Sequence, residues 1–96
     1  MIDLHTWTTP NGEKPIIMLE ECGLDYDLHL VDISSGQQKN SDFLAINPNG
    51  KIPAIVDDGV RVFESGAILV YLAEKTGRFL PPSGQDRAEA LSWTFF

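Results

Sequence analysis

The sequence predicts an α/β fold: one four-stranded mixed sheet with helices on both faces. Three observations predict it. Two strand-like runs, Ile2–Trp7 and Asp27–Ile33, flank a helical stretch, and strands separated by a helix are most easily parallel, joined by a right-handed crossover. Further on, Ile52–Val56 and Val60–Phe63 flank Asp57-Asp58-Gly59, a good hairpin signal, so that pair is antiparallel. A helical pattern over Ser65–Thr76 follows the hairpin directly.

Each element has its own local reason. In the first strand Ile2, Leu4 and Thr6 alternate with Asp3, His5 and Trp7, as in a half-buried strand. Thr8-Thr9-Pro10-Asn11-Gly12 stops it with turn residues. The next stretch predicts a helix over Glu13–Cys22, with Pro15 in its first turn and Gly23 as terminator. Ile16 and Leu19 form its apolar face, with Ile17 and Leu24 extending it. Ser34–Asn40 reads as a polar loop, Ser41 caps a short helix through Ile46, and Asn47-Pro48-Asn49-Gly50 is a turn cluster. The helix over 65–76 carries Ile68, Leu69 and Leu72 on its apolar side and stops at Gly77.

Pro81-Pro82-Ser83-Gly84 is linker chemistry, and from Gln85 the pattern is helical again, ending on Trp93-Thr94-Phe95-Phe96 without a stop signal. Exposed aromatics need a partner surface. The expected organisation is a first domain over 1–80, a linker over 81–86, and over 87–96 the start of an all-helical C-terminal domain whose remainder is missing.

Composition narrows the function classes. Ninety-six residues suit one domain with a modest core, and 43% hydrophobic with 22% charged residues is ordinary for a soluble protein. A net charge of −7 argues against nucleic acid, whose phosphates need Lys and Arg. No apolar run approaches the roughly 18 residues of a membrane span, and Met1-Ile2-Asp3-Leu4-His5 does not read as a secretory leader, so the expected location is cytoplasmic. The single cysteine, Cys22, excludes an internal disulfide, a Cys-x-x-Cys redox pair and a cysteine zinc site; it reads as a small core residue. His5 and His29 read as solvated or partly packed strand residues, so no metal is expected.

Two short stretches carry the candidate chemistry. Pro53 donates no ladder hydrogen bond and fits best at a strand entrance. There a cis Ile52–Pro53 peptide would turn the chain and expose the Ile52 main chain to a ligand; a trans edge proline is the alternative. Glu64-Ser65-Gly66 ends a strand and opens a helix, whose first N–H groups and partial positive charge attract an anion. A carboxylate beside an anion site suits a zwitterion such as an α-amino acid head group. The plain alternative is a helix cap with a surface acid.

The order β-α-β, short helix, β-hairpin, α is that of the thioredoxin-like fold. The runs Thr8-Thr9-Pro10-Asn11-Gly12, Phe43-Leu44-Ala45-Ile46-Asn47-Pro48-Asn49-Gly50-Lys51-Ile52-Pro53-Ala54 and Phe63-Glu64-Ser65-Gly66-Ala67-Ile68 resemble the N-terminal domain of cytosolic glutathione transferases. The nearest resemblance is to the bacterial nu class, related to the yeast nitrogen-regulator prion protein and to disulfide-bond oxidoreductases that use glutathione. It implies glutathione as co-substrate and a small electrophile or a disulfide as second substrate. Glu64 would take the γ-glutamyl ammonium, and Ser65 with the helix N-terminus its carboxylate. Ile52 would pair its main chain with the cysteinyl unit, turned outward by Pro53, while Gln38 and Lys51 approach the glycyl carboxylate. Thr9 and Asn11 would sit nearest the sulfur, as hydrogen-bond donors that stabilise a thiolate rather than as bases. The family also implies a second-substrate pocket shared with a helical C-terminal domain, and a homodimer at full length. Alone, the 96 residues would then have little activity. The alternative within the fold is a non-catalytic glutathione-binding or regulatory module.

Overall fold

Alternation along β1 (Ile2–Thr6) seats the centre of the sheet: Ile2, Leu4 and Thr6 are buried while Asp3 and His5 are half-buried on the opposite face. The computed structural model describes all 96 residues. β2 (Tyr26–Leu30) runs parallel to β1, with Leu4 opposite Leu28. On the other side β3 (Ala54–Asp57) runs antiparallel to β1, and β4 (Val60–Phe63) closes the hairpin, so the order is β2-β1-β3-β4. The sheet is mixed and four-stranded, as expected, and the topology is thioredoxin-like.

Four α-helices follow from the remaining segments: α1 (Pro10–Cys22), α2 (Ser41–Leu44), α3 (Ser65–Thr76) and α4 (Gly84–Phe95). Leu19 from α1 and Ile68 and Leu72 from α3 pack on Ile2, Leu4 and Ile55 of the sheet, all six buried. Each such side chain contributes about 1.5–3 kcal/mol by leaving water. On the opposite face Phe43 of α2 packs with Val31 and Ala54. Helices thus cover both faces, with the larger core under α1 and α3.

Several boundaries differ from the sequence expectation for identifiable reasons. α1 starts at Pro10, not Glu13, because the Thr9 hydroxyl caps it by accepting from the Gly12 N–H at 3.0 Å and Pro10 suits the first helical position. Pro15 therefore lies inside the helix, where it has no N–H to offer the Asn11 carbonyl. Ile17 does not extend the packed face; it is 60% exposed. β2 ends at Leu30 because Asp32 caps a 3₁₀ turn over Ile33–Ser35, accepting from the Ser34 N–H at 2.9 Å, and a second turn covers Gln37–Lys39. α2 is shorter than expected, and Asn40, not Ser41, stands at its N-cap position, without a side-chain capping bond. β3 begins only after Pro53. α4 takes in Gly84, Gln85 and Asp86 of the expected linker. α3 matches at both ends, with Gly77 left-handed at φ 67°. No helix is long and apolar enough to cross a membrane.

One polar cluster ties α3 to the sheet. Asp57, 4% exposed at the end of β3, accepts from Lys75 Nζ at 2.8 Å and Tyr71 Oη at 2.6 Å. Both donors hold its carboxyl below the usual range, Lys75 foremost, and the carboxylate in turn raises the pKa of Lys75 and Tyr71.

Candidate functional site

The chain enters β3 through a loop that its own side chains hold. Asn47 is buried, donates from Nδ2 to the Lys51 carbonyl at 2.8 Å, and accepts on Oδ1 from the Asn49 main chain and side chain, each at 3.0 Å. The Ile52–Pro53 peptide that follows is cis. Pro53 is buried and Ile52 half-buried. No loop or side-chain hydrogen bond within the chain takes up the Ile52 N–H or carbonyl. Such groups need a partner, and here it is left to water or a ligand.

The same end of the hairpin carries the other stretch. The β3–β4 ladder ends with Ala54 opposite Phe63, so Ile52–Pro53 and Glu64–Ser65 leave the sheet side by side. Glu64 is the N-cap of α3, but its side chain makes no capping bond, and its backbone sits at φ 77°, ψ 125°. A non-glycine residue in that region costs about 1–3 kcal/mol and occurs mostly where function holds it. The Glu64 side chain thus caps no helix N–H and stands as an exposed acid at the helix start. Its carbonyl accepts from Ile68 N at 3.0 Å, which leaves the Ser65, Gly66 and Ala67 N–H groups without intrahelical partners.

Two cavities gather the predicted residues. Thr9, Asn11, Gln38, Lys51 and Ile52 line one of about 230 Å³, with Ile33 and Gly50. Glu64 and Ser65 line another of about 400 Å³, with Lys14, Gly66 and Thr94 to Phe96. Pro53 lines neither. In the first cavity the Thr9 hydroxyl accepts from Gly12, so its proton remains free to be donated elsewhere. Gln38 Oε1 is buried without a partner, the one such side-chain atom in the chain. A separate apolar cleft of about 260 Å³, between Ile17 and Met18 of α1 and Leu69 of α3, contains none of the predicted site residues.

The histidines lie elsewhere, on the α2 side of β1 and β2, with the His5 ring centroid 6.2 Å from that of Phe43. Their rings stack with centroids 4.5 Å apart, and His29 Nε2 lies 2.9 Å from Asp3 Oδ1. Burial, and then the neighbouring His29, lower the pKa of His5 below its ordinary 6.5, with Asp3 opposing. No group of three or more His, Cys, Asp or Glu is placed to hold a metal ion.

Sequence reasoning missed several residues. Asn47 looked like turn chemistry, yet it is the buried brace of the Lys51–Ile52 loop. Gly12 is buried where a Cβ would stand 2.7 Å from Thr6 Oγ1 and closer still to the Trp7 carbonyl, so only glycine lets α1 begin against the end of β1. Lys14 and the end of α4 reach the Glu64 cavity from distant segments, and nothing local signals that.

The family model for the glutathione S-transferase N-terminal domain matches residues 2–74. The chain belongs to the glutathione S-transferase family. Among curated relatives of this glutathione S-transferase domain, the disulfide-bond oxidoreductase YfcG of Escherichia coli is 53% identical, over 100% of this chain and 48% of its own length. The disulfide-bond oxidoreductase YghU of the same organism is 47% identical, over 99% of the chain and 36% of its own. A solved glutathione transferase family member from Pseudomonas fluorescens, with two glutathione molecules bound, superposes with a TM-score of 0.94 at 44% identity, over 99% of this chain and 44% of that one. The chain thus spans about half the length, or less, of the relatives it matches.

Proposed function

We propose that this domain binds glutathione along the end of the β3–β4 hairpin and presents its thiolate to a disulfide or a small electrophile. The observation that carries the proposal is the pairing at that end: the unpaired main chain of Ile52 beside the unpaired first-turn N–H groups of α3, flanked by Glu64 and Ser65. A tripeptide laid there adds a short strand to Ile52. The Glu64 carboxylate takes its ammonium, and the Ser65 hydroxyl with the helix N-terminus takes its α-carboxylate. Toward the first cavity the Gln38 amide and the Lys51 ammonium meet the glycyl end; the buried, unpaired Gln38 Oε1 also calls for an N–H from outside the chain.

When bound, glutathione supplies a thiolate that attacks a disulfide sulfur, forming a mixed disulfide and releasing the partner thiolate. The chain's own task is to favour the charged form of the sulfur. A free thiol titrates near pH 8.5, and one or two aimed donors lower that by about one or two units, roughly 1.4 kcal/mol each. Thr9 and Asn11 are those donors. Neither is a base, so they stabilise the thiolate without removing its proton. Disulfide reduction is favoured over conjugation because the relatives YfcG and YghU carry that activity in their names.

The organisation we infer is a glutathione-binding domain over 1–80, a connection over 81–86 and the opening of a helical domain from 87, in keeping with relatives of about twice the length. The second-substrate pocket then lies between the two domains, the full-length protein is a homodimer in the cytoplasm, and the 96 residues alone turn over poorly. Calorimetric titration of the full-length protein with reduced and oxidised glutathione, followed by a disulfide-exchange assay, tests the function. Binding of either form with glutathione-dependent exchange is expected. Absence of binding by both refutes it.

A further inference from the structure

The end of α4 comes against the start of α3 at Gly66. A Cβ on Gly66 would stand 2.8 Å from Phe95 Cδ1, 3.0 Å from Cζ, and closer still to Cε1. The Gly66 backbone is not in the left-handed region, so its conformation suits any residue. In a helix, alanine would even be favoured there. What a side chain at 66 would meet is therefore the Phe95 ring, which would have to move aside, and not a backbone limit. Phe95 is 62% exposed overall, yet this edge of the ring lies on the main chain whose N–H groups have no helical partner.

We propose that Phe95 is a positioning residue for the head-group clamp, with Gly66 as its seat. This rests on the glutathione reading above and deepens it: the amino-acid end of the ligand enters a cavity with a polar floor, the Glu64 carboxylate and the Ser65 hydroxyl, and an aromatic wall, Phe95 and Phe96. Apolar cover over one side of the first turn lowers the local dielectric around those N–H donors. Their bonds to a carboxylate then strengthen. A ring resting on the chain also holds the helix start in one place for the clamp. The chemistry recognised is an α-amino acid zwitterion, and the cover acts on its carboxylate.

A double-mutant cycle with calorimetric titration of reduced glutathione tests this. Phe95→Ala is expected to weaken binding by about tenfold, the scale of one hydrogen bond to a charged group. Gly66→Ala, which evicts the ring, should weaken it similarly while leaving the melting temperature level or higher. The double variant should bind no worse than Phe95→Ala, because the clash has gone; Phe95→Leu should recover much of the affinity. Full additivity of the two losses, or a Phe95→Ala affinity equal to wild type, overturns the proposal. Failure of the wild-type protein to bind glutathione at all sinks the glutathione reading first, so the two failures are distinguishable.

Discussion

Removing the Asp57 carboxylate should loosen α3, the helix that begins with the proposed clamp. The carboxylate is 4% exposed and takes two charge-assisted bonds on one oxygen, from Tyr71 at 2.6 Å and Lys75 at 2.8 Å. A hydrogen bond to a charged group is worth about 1.5–3 kcal/mol net. Tyr71→Phe removes one such bond, and a chain of this size loses its fold with an entropy of about 0.2 kcal/mol per degree, so about 1.5 kcal/mol lowers the melting temperature by roughly 7 °C. Asp57→Ala removes both bonds but frees the hydroxyl and the ammonium to meet water, so the loss is about 2–3 kcal/mol, or roughly 10–15 °C. Lys75→Met should shift the melting temperature less than Tyr71→Phe, because the Lys75 side chain is 37% exposed and its attraction is screened. The pH dependence has a definite sign. Asp57 titrates lower when folded, so its contribution is present above its ordinary 3.8 and fades as pH falls through the folded value. Lys75 titrates higher when folded, so its share holds below 10.5 and fades as pH rises beyond it. Thermal melts of wild type and Asp57→Ala across pH check all of this. An unchanged gap well below pH 3.8, or a Lys75→Met loss larger than that of Asp57→Ala, refutes the reasoning.

Three further outcomes are expected. Glu64→Ala or Ser65→Ala weakens glutathione by roughly 2 kcal/mol or more, about thirtyfold in Kd, as when a partner of a buried charge is lost; unchanged affinity by calorimetry removes both from the site. Thr9→Ala lowers stability by about 1 kcal/mol through loss of the α1 cap, whereas Thr9→Ser keeps it. The exposed Asn11→Ala leaves the melting temperature within noise, and both Thr9→Ala and Asn11→Ala raise the pH at which the glutathione thiolate forms; equal melts for Thr9→Ala and wild type contradict the cap. His5 titrates below 6.5 when folded, among His29 and Asp3, so stability declines as pH falls below 6.5; that slope, followed by denaturant unfolding, should flatten in His5→Phe and is contradicted if it does not.

Much of the fold was written locally. The 3.6-residue pattern and Gly77 delimited α3 at both ends, the turn at Asp57-Asp58-Gly59 announced the hairpin, and alternation in the first strand chose which residues of β1 face the core. The boundaries that moved did so where side chains outcompeted the backbone pattern: Thr9 drew the start of α1 back to Pro10, and Asp32 ended β2 early. The candidate site divided the same way. Residue types and spacing pointed to Ile52, Glu64 and Ser65, because turn, strand and helix-start chemistry are properties of a few consecutive residues.

Sequence alone determined the order of the elements, the turn chemistry and the residue types available for binding, since each depends on neighbours within a helical turn or a strand pair. Only tertiary structure decided that Gln38 Oε1 would be buried without a partner, that Asn47 would brace the loop before Ile52, and that Phe95 would rest on Gly66. Those are contacts between segments distant along the chain or bonds whose value depends on burial, and no periodicity in a sequence encodes either.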